Sequence, residues 1–188
     1  MNRIHRRSFL QRTGAAAIGA TALGLPQILP ARVLGASYTQ PSAKDRLNIA
    51  HIGVGGMGLV HLKNLLEFRQ QGKVNIATVC DTDEGRLGKA VRTAGAGVEP
   101  YRDYRYILER KDIDAVLIAT PDHWHAVQTV HACECGKHVY VEKPASVTIE
   151  EGKAMVAAAR KHNRAVQVGA QARTAKPAHI TCTAVRNG

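Results

Sequence analysis

A chain of 188 residues with 26 Lys/Arg against 15 Asp/Glu carries a formal charge of +11, yet only 4% of it is aromatic. Residues 1–46 hold seven basic residues and one acidic residue, so +6 of the charge lies there; the other 142 residues have 19 basic and 14 acidic side chains. With no basic run and few rings to stack on bases, nucleic-acid binding is excluded as the meaning of the charge.

The chain begins with HRRSFLQRT at residues 5–13, followed by an apolar run over residues 14–34 that is rich in alanine and glycine. A basic start, an apolar middle and the small residues Leu34-Gly35-Ala36 are the three parts of a secretory signal peptide. Pro26, Pro30 and the glycines make the run too weak for a stable membrane span. Arg6-Arg7 followed by Ser8-Phe9-Leu10 resembles the twin-arginine signal, read by the bacterial machinery that exports folded proteins. The resemblance implies a signal peptide over residues 1–36, a periplasmic or secreted destination, and no membrane span in the mature form. An ordinary Sec signal, or a basic tail whose arginines happen to be paired, is the other reading. Residues 37–46 have the polar composition of a linker.

Beyond the linker, short apolar runs alternate with helical spacing. The runs predict strands at residues 47–53, 74–81, 115–119, 138–141 and 165–169, with a further short one at 98–101. Helices are predicted between them at 57–71, 84–94, 104–110, 123–135 and 149–162. Strands alternating with helices of these lengths imply βαβ units. The fold class is therefore α/β, with one doubly wound parallel sheet of the Rossmann kind over residues 47–172. Residues 173–188 begin a connection onward. Cys80, Cys133, Cys135 and Cys182 show no disulfide framework and are expected to pack as small apolar residues.

The first strand runs into GVGGMG, residues 53–58. A G-x-G-x-x-G that follows a strand and opens a helix marks a dinucleotide site. Gly53 permits the tight turn, Gly55 lets the backbone approach a pyrophosphate, and Gly58 lets helix and strand pack closely; Gly56 and Met57 belong to the same turn. The helix N-terminus offers unpaired N–H groups to phosphate. Asp81, at the end of the next strand, would accept both ribose hydroxyls and repel a 2′-phosphate, favouring NAD over NADP. Arg86 could soften that preference. A helix N-terminal acid is the other role open to Asp81.

Two later stretches, ATPDHWHAV at 119–127 and HVYVEKPAS at 138–146, complete an ordered set. Gly53-x-Gly55-x-x-Gly58, Asp81, Thr120-Pro121-x-x-x-His125 and Glu142-Lys143-Pro144 together resemble the glucose–fructose oxidoreductase / inositol dehydrogenase (Gfo/Idh/MocA) family, from about residue 47 to the end. The resemblance implies that Ala119, Thr120 and Pro121 line the path of the cofactor riboses, and that His125 packs near the nicotinamide. It also implies that Glu142 and Lys143 stand at the end of the next strand, with Lys143 reaching the nicotinamide ribose and the substrate hydroxyl as the catalytic residue. A cation at the carboxyl edge of a parallel sheet can orient a substrate oxygen while hydride leaves carbon.

His123, His125, His131 and Cys133 lack the spacing of a zinc site, so no metal is expected. Trp124 is either a pocket wall or packing; Gln171 and Arg173 either face the ligand or begin a linker. The resemblance further implies a second α+β substrate domain, missing from this chain, and a homo-oligomer for the full-length protein. Three functions stay open. One is an NAD-dependent oxidoreductase acting on a sugar, cyclitol or related polyol; another is an NAD-dependent glycoside hydrolase-like enzyme; the third is a non-catalytic nucleotide-binding module.

Overall fold

The computed structural model describes residues 46–171 and 175–187. The expected signal peptide, residues 37–45 of the expected linker and Arg173 lie outside them. Strands β1 (Leu47–Ile52), β2 (Val74–Cys80), β3 (Glu99–Tyr101), β4 (Ala115–Ile118), β5 (His138–Val141) and β6 (Val166–Val168) form one sheet in the order β3-β2-β1-β4-β5-β6. Every pairing is parallel. The order reverses between β1 and β4, and ligands of open α/β sheets bind outside the carboxyl ends at such a point.

The helices are α1 (Gly56–Gln70), α2 (Glu84–Ala94), α3 (Tyr104–Leu108), α4 (Asp122–Glu134), α5 (Ile149–Lys161) and α6 (Lys176–Asn187). α1 and α2 cover one face of the sheet, where Leu62, Leu65, Leu87 and Ala90 meet Ile76, Val79 and Leu117. α3, α4 and α5 cover the other, where Ile107, Ala126, Cys133, Met155 and Ala158 meet Ile52, Val116, Ile118 and Val141. Neighbours in β4 go to opposite faces, which is why a strand buried on both sides reads as an unbroken apolar run. Leu62 and Ile76 are almost wholly buried, and each such side chain contributes about 1.5–3 kcal/mol by leaving water.

Helix boundaries follow local chemistry. α5 starts at a capping box: the Thr148 hydroxyl accepts the Glu151 N–H, and the Glu151 side chain accepts the Thr148 N–H. α4 starts at Asp122, one residue before the predicted start, because Pro121 holds the N-cap with φ −59° and an acid suits the first turn. α3 ends at Leu108 rather than residue 110. Two cysteines depart from expectation. Cys80 and Cys133 are buried packing residues, but Cys135 lies past the end of α4 and is exposed, as is Cys182. Among the described residues no helix is long and apolar enough to cross a membrane.

Candidate functional site

The switch point between β1 and β4 is held shut by backbone. Gly53 has φ +84°, and a Cβ on it would come within 2.6 Å of the Ala119 carbonyl. The turn after β1 is thus pressed against the turn after β4, in a conformation that suits glycine. At Gly58 a Cβ would fall on the carbonyl oxygen of Gly53, so α1 approaches β1 as closely as backbone permits. The ladder also continues one residue past the strands: Gly53 N–H donates to Cys80 O at 2.8 Å and Ala119 N–H to Ile52 O at 2.8 Å.

A cleft of about 780 Å³ opens at this edge. Its walls are the glycine turn with Met57, the end of β2 with Asp81 and Arg86, the 102–105 segment, Ala119 to Pro121, and Trp124 and Gln128 of α4. Gly55 is the N-cap of α1 and no side chain caps the first turn. The N–H groups left over, with the positive end of the helix dipole, make that wall a phosphate site. Asp81 receives the Val54 N–H on Oδ2 at 3.0 Å and the Asp83 N–H on Oδ1 at 3.0 Å. The N-cap of α2 is Asp83, not Asp81: its carboxylate accepts the Arg86 N–H at 2.8 Å. Asp81 is left for the cleft.

Several arginines share the cleft with Asp81. Arg102 donates to Glu84 at 2.7 Å and Arg105 to Asp103 at 2.5 Å. Arg86 lies across from Gly55, where a Cβ would be 3.4 Å from its Nη1. Among the described residues Arg86 has no carboxylate partner. Tyr104 and His131 close the far end, with the hydroxyl 2.9 Å from Nδ1 and the rings stacked. Burial pushes the Tyr104 phenol above its ordinary range. It also pushes the Cys80 thiol up to about 12, helped by Asp81 and Asp103, so this cleft-lining sulfur is a thiol and not a nucleophile.

His125, Glu142 and Lys143 stand behind or beside the cleft rather than in its walls. His125 is buried, with Nδ1 2.6 Å from Pro144 O and Nε2 2.9 Å from Thr120 O. It ties the Glu142-Lys143-Pro144 segment to the turn that lines the cleft. The Thr120 hydroxyl donates to Gln128 at 2.8 Å. Lys143 is exposed, two residues beyond the end of β5. Trp124, left open between wall and packing, is a wall. Gln171 turns inward and donates to the Glu142 carboxylate. Of the histidines and cysteine weighed as metal ligands, His123 is exposed, His125 and His131 have the partners above, and Cys133 is buried in the core.

The sequence reading missed two buried histidines beneath the turn. His61 of α1 places Nε2 2.5 Å from Glu142 Oε1 and meets the edge of the Tyr140 ring at 5.4 Å. His51 in β1 is wholly buried, neither ring nitrogen has a partner among the described residues, and burial lowers its pKa to about 3. The signal for His61 was helical spacing: Gly58, His61, Leu62 and Leu65 are the buried positions of α1.

A family model described as "oxidoreductase family, NAD-binding Rossmann fold" matches residues 47–170. The chain belongs to the Gfo/Idh/MocA family. Within it, a glycosyl hydrolase family 109 protein of Shewanella baltica is 33% identical over 167 aligned positions, covering 80% of this chain and 36% of that protein. Among solved structures, myo-inositol 2-dehydrogenase from Lactobacillus plantarum is 28% identical with a TM-score of 0.68, over 76% of this chain and 42% of that one. Scyllo-inositol dehydrogenase from Lactobacillus casei, solved with NAD(H) and scyllo-inositol, is 27% identical with a TM-score of 0.66 and the same coverage. This Gfo/Idh/MocA chain thus spans about a third of its hydrolase-named relative. The uncapped turn, the close-packed glycines and the free edge of Asp81 all fit NAD.

Proposed function

We propose that this chain is the nucleotide-binding part of an exported enzyme that moves a hydride between NAD and a carbon of a sugar, cyclitol or related polyol. The observation that carries the reading is the meeting of the glycine turn, Asp81 and residues 119–121 around one cleft. Glu142-Lys143-Pro144 leaves the neighbouring strand at the same edge. NAD bound there supplies the hydride acceptor. The chain's own groups do the rest. The N–H groups of the turn at Gly55 and Gly56 hold the pyrophosphate. Each oxygen of Asp81 keeps a lone pair for a ribose hydroxyl, and its charge disfavours a 2′-phosphate. The Lys143 amine orients the substrate hydroxyl and takes up its proton, becoming an ammonium, as the C–H bond breaks and the hydride passes to NAD.

Glycoside cleavage that begins with the same hydride transfer is the second reading, favoured by the 33% identity to a protein named as a glycosyl hydrolase. One experiment addresses both. The full-length gene product, loaded with NAD, is offered myo-inositol and scyllo-inositol while absorbance of reduced nicotinamide is followed, and then aryl glycosides while phenol release is followed. Net reduced nicotinamide with a polyol bears out the first reading. Phenol release without net reduction bears out the second. Tight NAD binding with neither outcome would leave a nucleotide-binding module and overturn both.

A further inference from the structure

Glu142 is a carboxylate only 4% exposed, and three elements converge on it. His61 Nε2 of α1 is 2.5 Å from Oε1, and the Gln171 amide, just past β6, donates to the same oxygen. Oε2 accepts the backbone N–H of Lys143 at 3.0 Å. The end of β6 closes over the group: a Cβ on Gly169 would come within 2.9 Å of Glu142 Oε1 and 2.7 Å of the Tyr140 hydroxyl. A carboxylate removed from water has to be compensated by donors. The donors found here fix its direction as well.

That direction matters because of what hangs on Oε2. The N–H that Glu142 captures is that of Lys143, so the orientation of the carboxylate sets the peptide from which the Lys143 side chain departs. His61 stands in turn one helical step beyond Gly58 on the buried side of α1, the helix whose N-terminus forms the phosphate wall. We propose that His61 is a positioning residue: through Glu142 it couples the helix that binds the pyrophosphate to the peptide that presents Lys143. His61 lies outside the walls of the cleft and has no part in holding the cofactor. The functional side of this assignment rests on Lys143 acting as proposed above; the structural side does not.

The test uses His61→Leu, which keeps the approximate volume and removes the donor, and His61→Gln, whose amide N–H reaches about as far as Nε2. Both are made in the 188-residue chain, and amide exchange is read at Lys143 and along β1. Loss of a hydrogen bond to a charged group corresponds to about 10- to 100-fold. His61→Leu should speed Lys143 amide exchange by about that factor while β1 amides stay within about threefold of wild type, and His61→Gln should recover most of the protection. NAD affinity should be the same in all three. Unchanged Lys143 exchange in His61→Leu, equal loosening of β1, or no recovery in His61→Gln would overturn the proposal. In the full-length enzyme, kcat should follow Lys143 protection with KM for NAD unmoved. A wild type with no turnover on any polyol or glycoside would defeat the functional reading and leave the exchange result to decide the role of His61.

Discussion

The Asp81 carboxylate accepts the Val54 N–H at 3.0 Å, so the acid that ends β2 also braces the glycine turn that follows β1. One side chain therefore braces the phosphate wall and lines the cleft where the ribose is proposed to sit. Removing it should harm NAD binding in two ways at once. Asp81→Ala is expected to weaken NAD by about 10- to 100-fold, the loss of a charged hydrogen-bonding group, and to narrow the preference over NADP. Asp81→Asn keeps an acceptor for Val54 and drops the charge, so it should cost less NAD affinity while admitting NADP. Calorimetric titration of both cofactors checks this, and wild-type preference for NADP would overturn the assignment. Arg86→Ala should sharpen the preference for NAD, since it removes a cation from the same cleft.

Gly58 tests the close approach of α1. A Cβ there falls on the Gly53 carbonyl oxygen, and overpacking against backbone costs about 1–3 kcal/mol or more. Gly58→Ala is expected to lower the melting temperature and abolish NAD binding. Gly56→Ala is the control, because nothing lies within 4 Å of a Cβ at that position. Equal stability of the two variants would show that the turn is looser than described.

The sheet, its helices and the dinucleotide turn were legible because they rest on local signals. Apolar runs and helical spacing announce the elements, and glycines at 53, 55 and 58 announce a turn that side chains would block. The convergence of His61, Tyr140 and Gln171 on Glu142 was not legible, because nothing near any of them in the chain names Glu142 as a partner. Their pairing is made by the fold, across 81 positions between His61 and Glu142. The contacts of His125 were hidden for a related reason. Its place in a motif beside the cleft gives no sign that both ring nitrogens meet backbone carbonyls, those of Thr120 and Pro144.

His51 makes stability depend on pH. Its pKa falls from 6.5 to about 3 in the folded chain, through burial first and His61 second. Above about 6.5 both folded and unfolded rings are neutral and the group contributes no slope. Below that, the unfolded chain takes up a proton that the folded chain refuses, so stability falls as pH drops toward 3. The loss is about 1.4 kcal/mol per pH unit. His51→Leu is expected to remove that slope. Urea unfolding of both proteins between pH 7 and pH 4.5 measures it; parallel curves would mean that His51 is protonated when folded.

Lys143 is exposed and lies outside the cleft walls, so its replacement should leave NAD affinity almost unchanged. Turnover is another matter. A positioned acid or base contributes about 10²–10⁴-fold in rate, and Lys143→Ala in the full-length enzyme should lose that much kcat. Lys143→Arg keeps the charge but yields its proton far less readily, and should recover little. Steady-state kinetics with saturating NAD decides it, and a change within a few-fold would remove Lys143 from the mechanism.

The last prediction joins the two ends of the reading. An enzyme exported unfolded would reach its destination without a nicotinamide cofactor, because such cofactors are made and kept in the cytosol. A twin-arginine signal at Arg6-Arg7, as proposed above, would direct export of a folded protein and so would allow NAD to bind at Gly53-Val54-Gly55-Gly56-Met57-Gly58 before crossing. NAD released outside could not be replaced, so it has to be held tightly and its redox state restored on the same molecule. Either a second substrate returns the hydride, or the net reaction is redox-neutral, as the hydrolase reading requires. The protein isolated from the periplasm should therefore carry about one nicotinamide per chain, detected by absorbance and fluorescence after denaturation. Replacing Arg6 and Arg7 with lysines should leave it in the cytoplasm with its cofactor still bound. Arrival in the periplasm despite those replacements would end the twin-arginine reading, and an empty protein there would end the retained-cofactor argument independently.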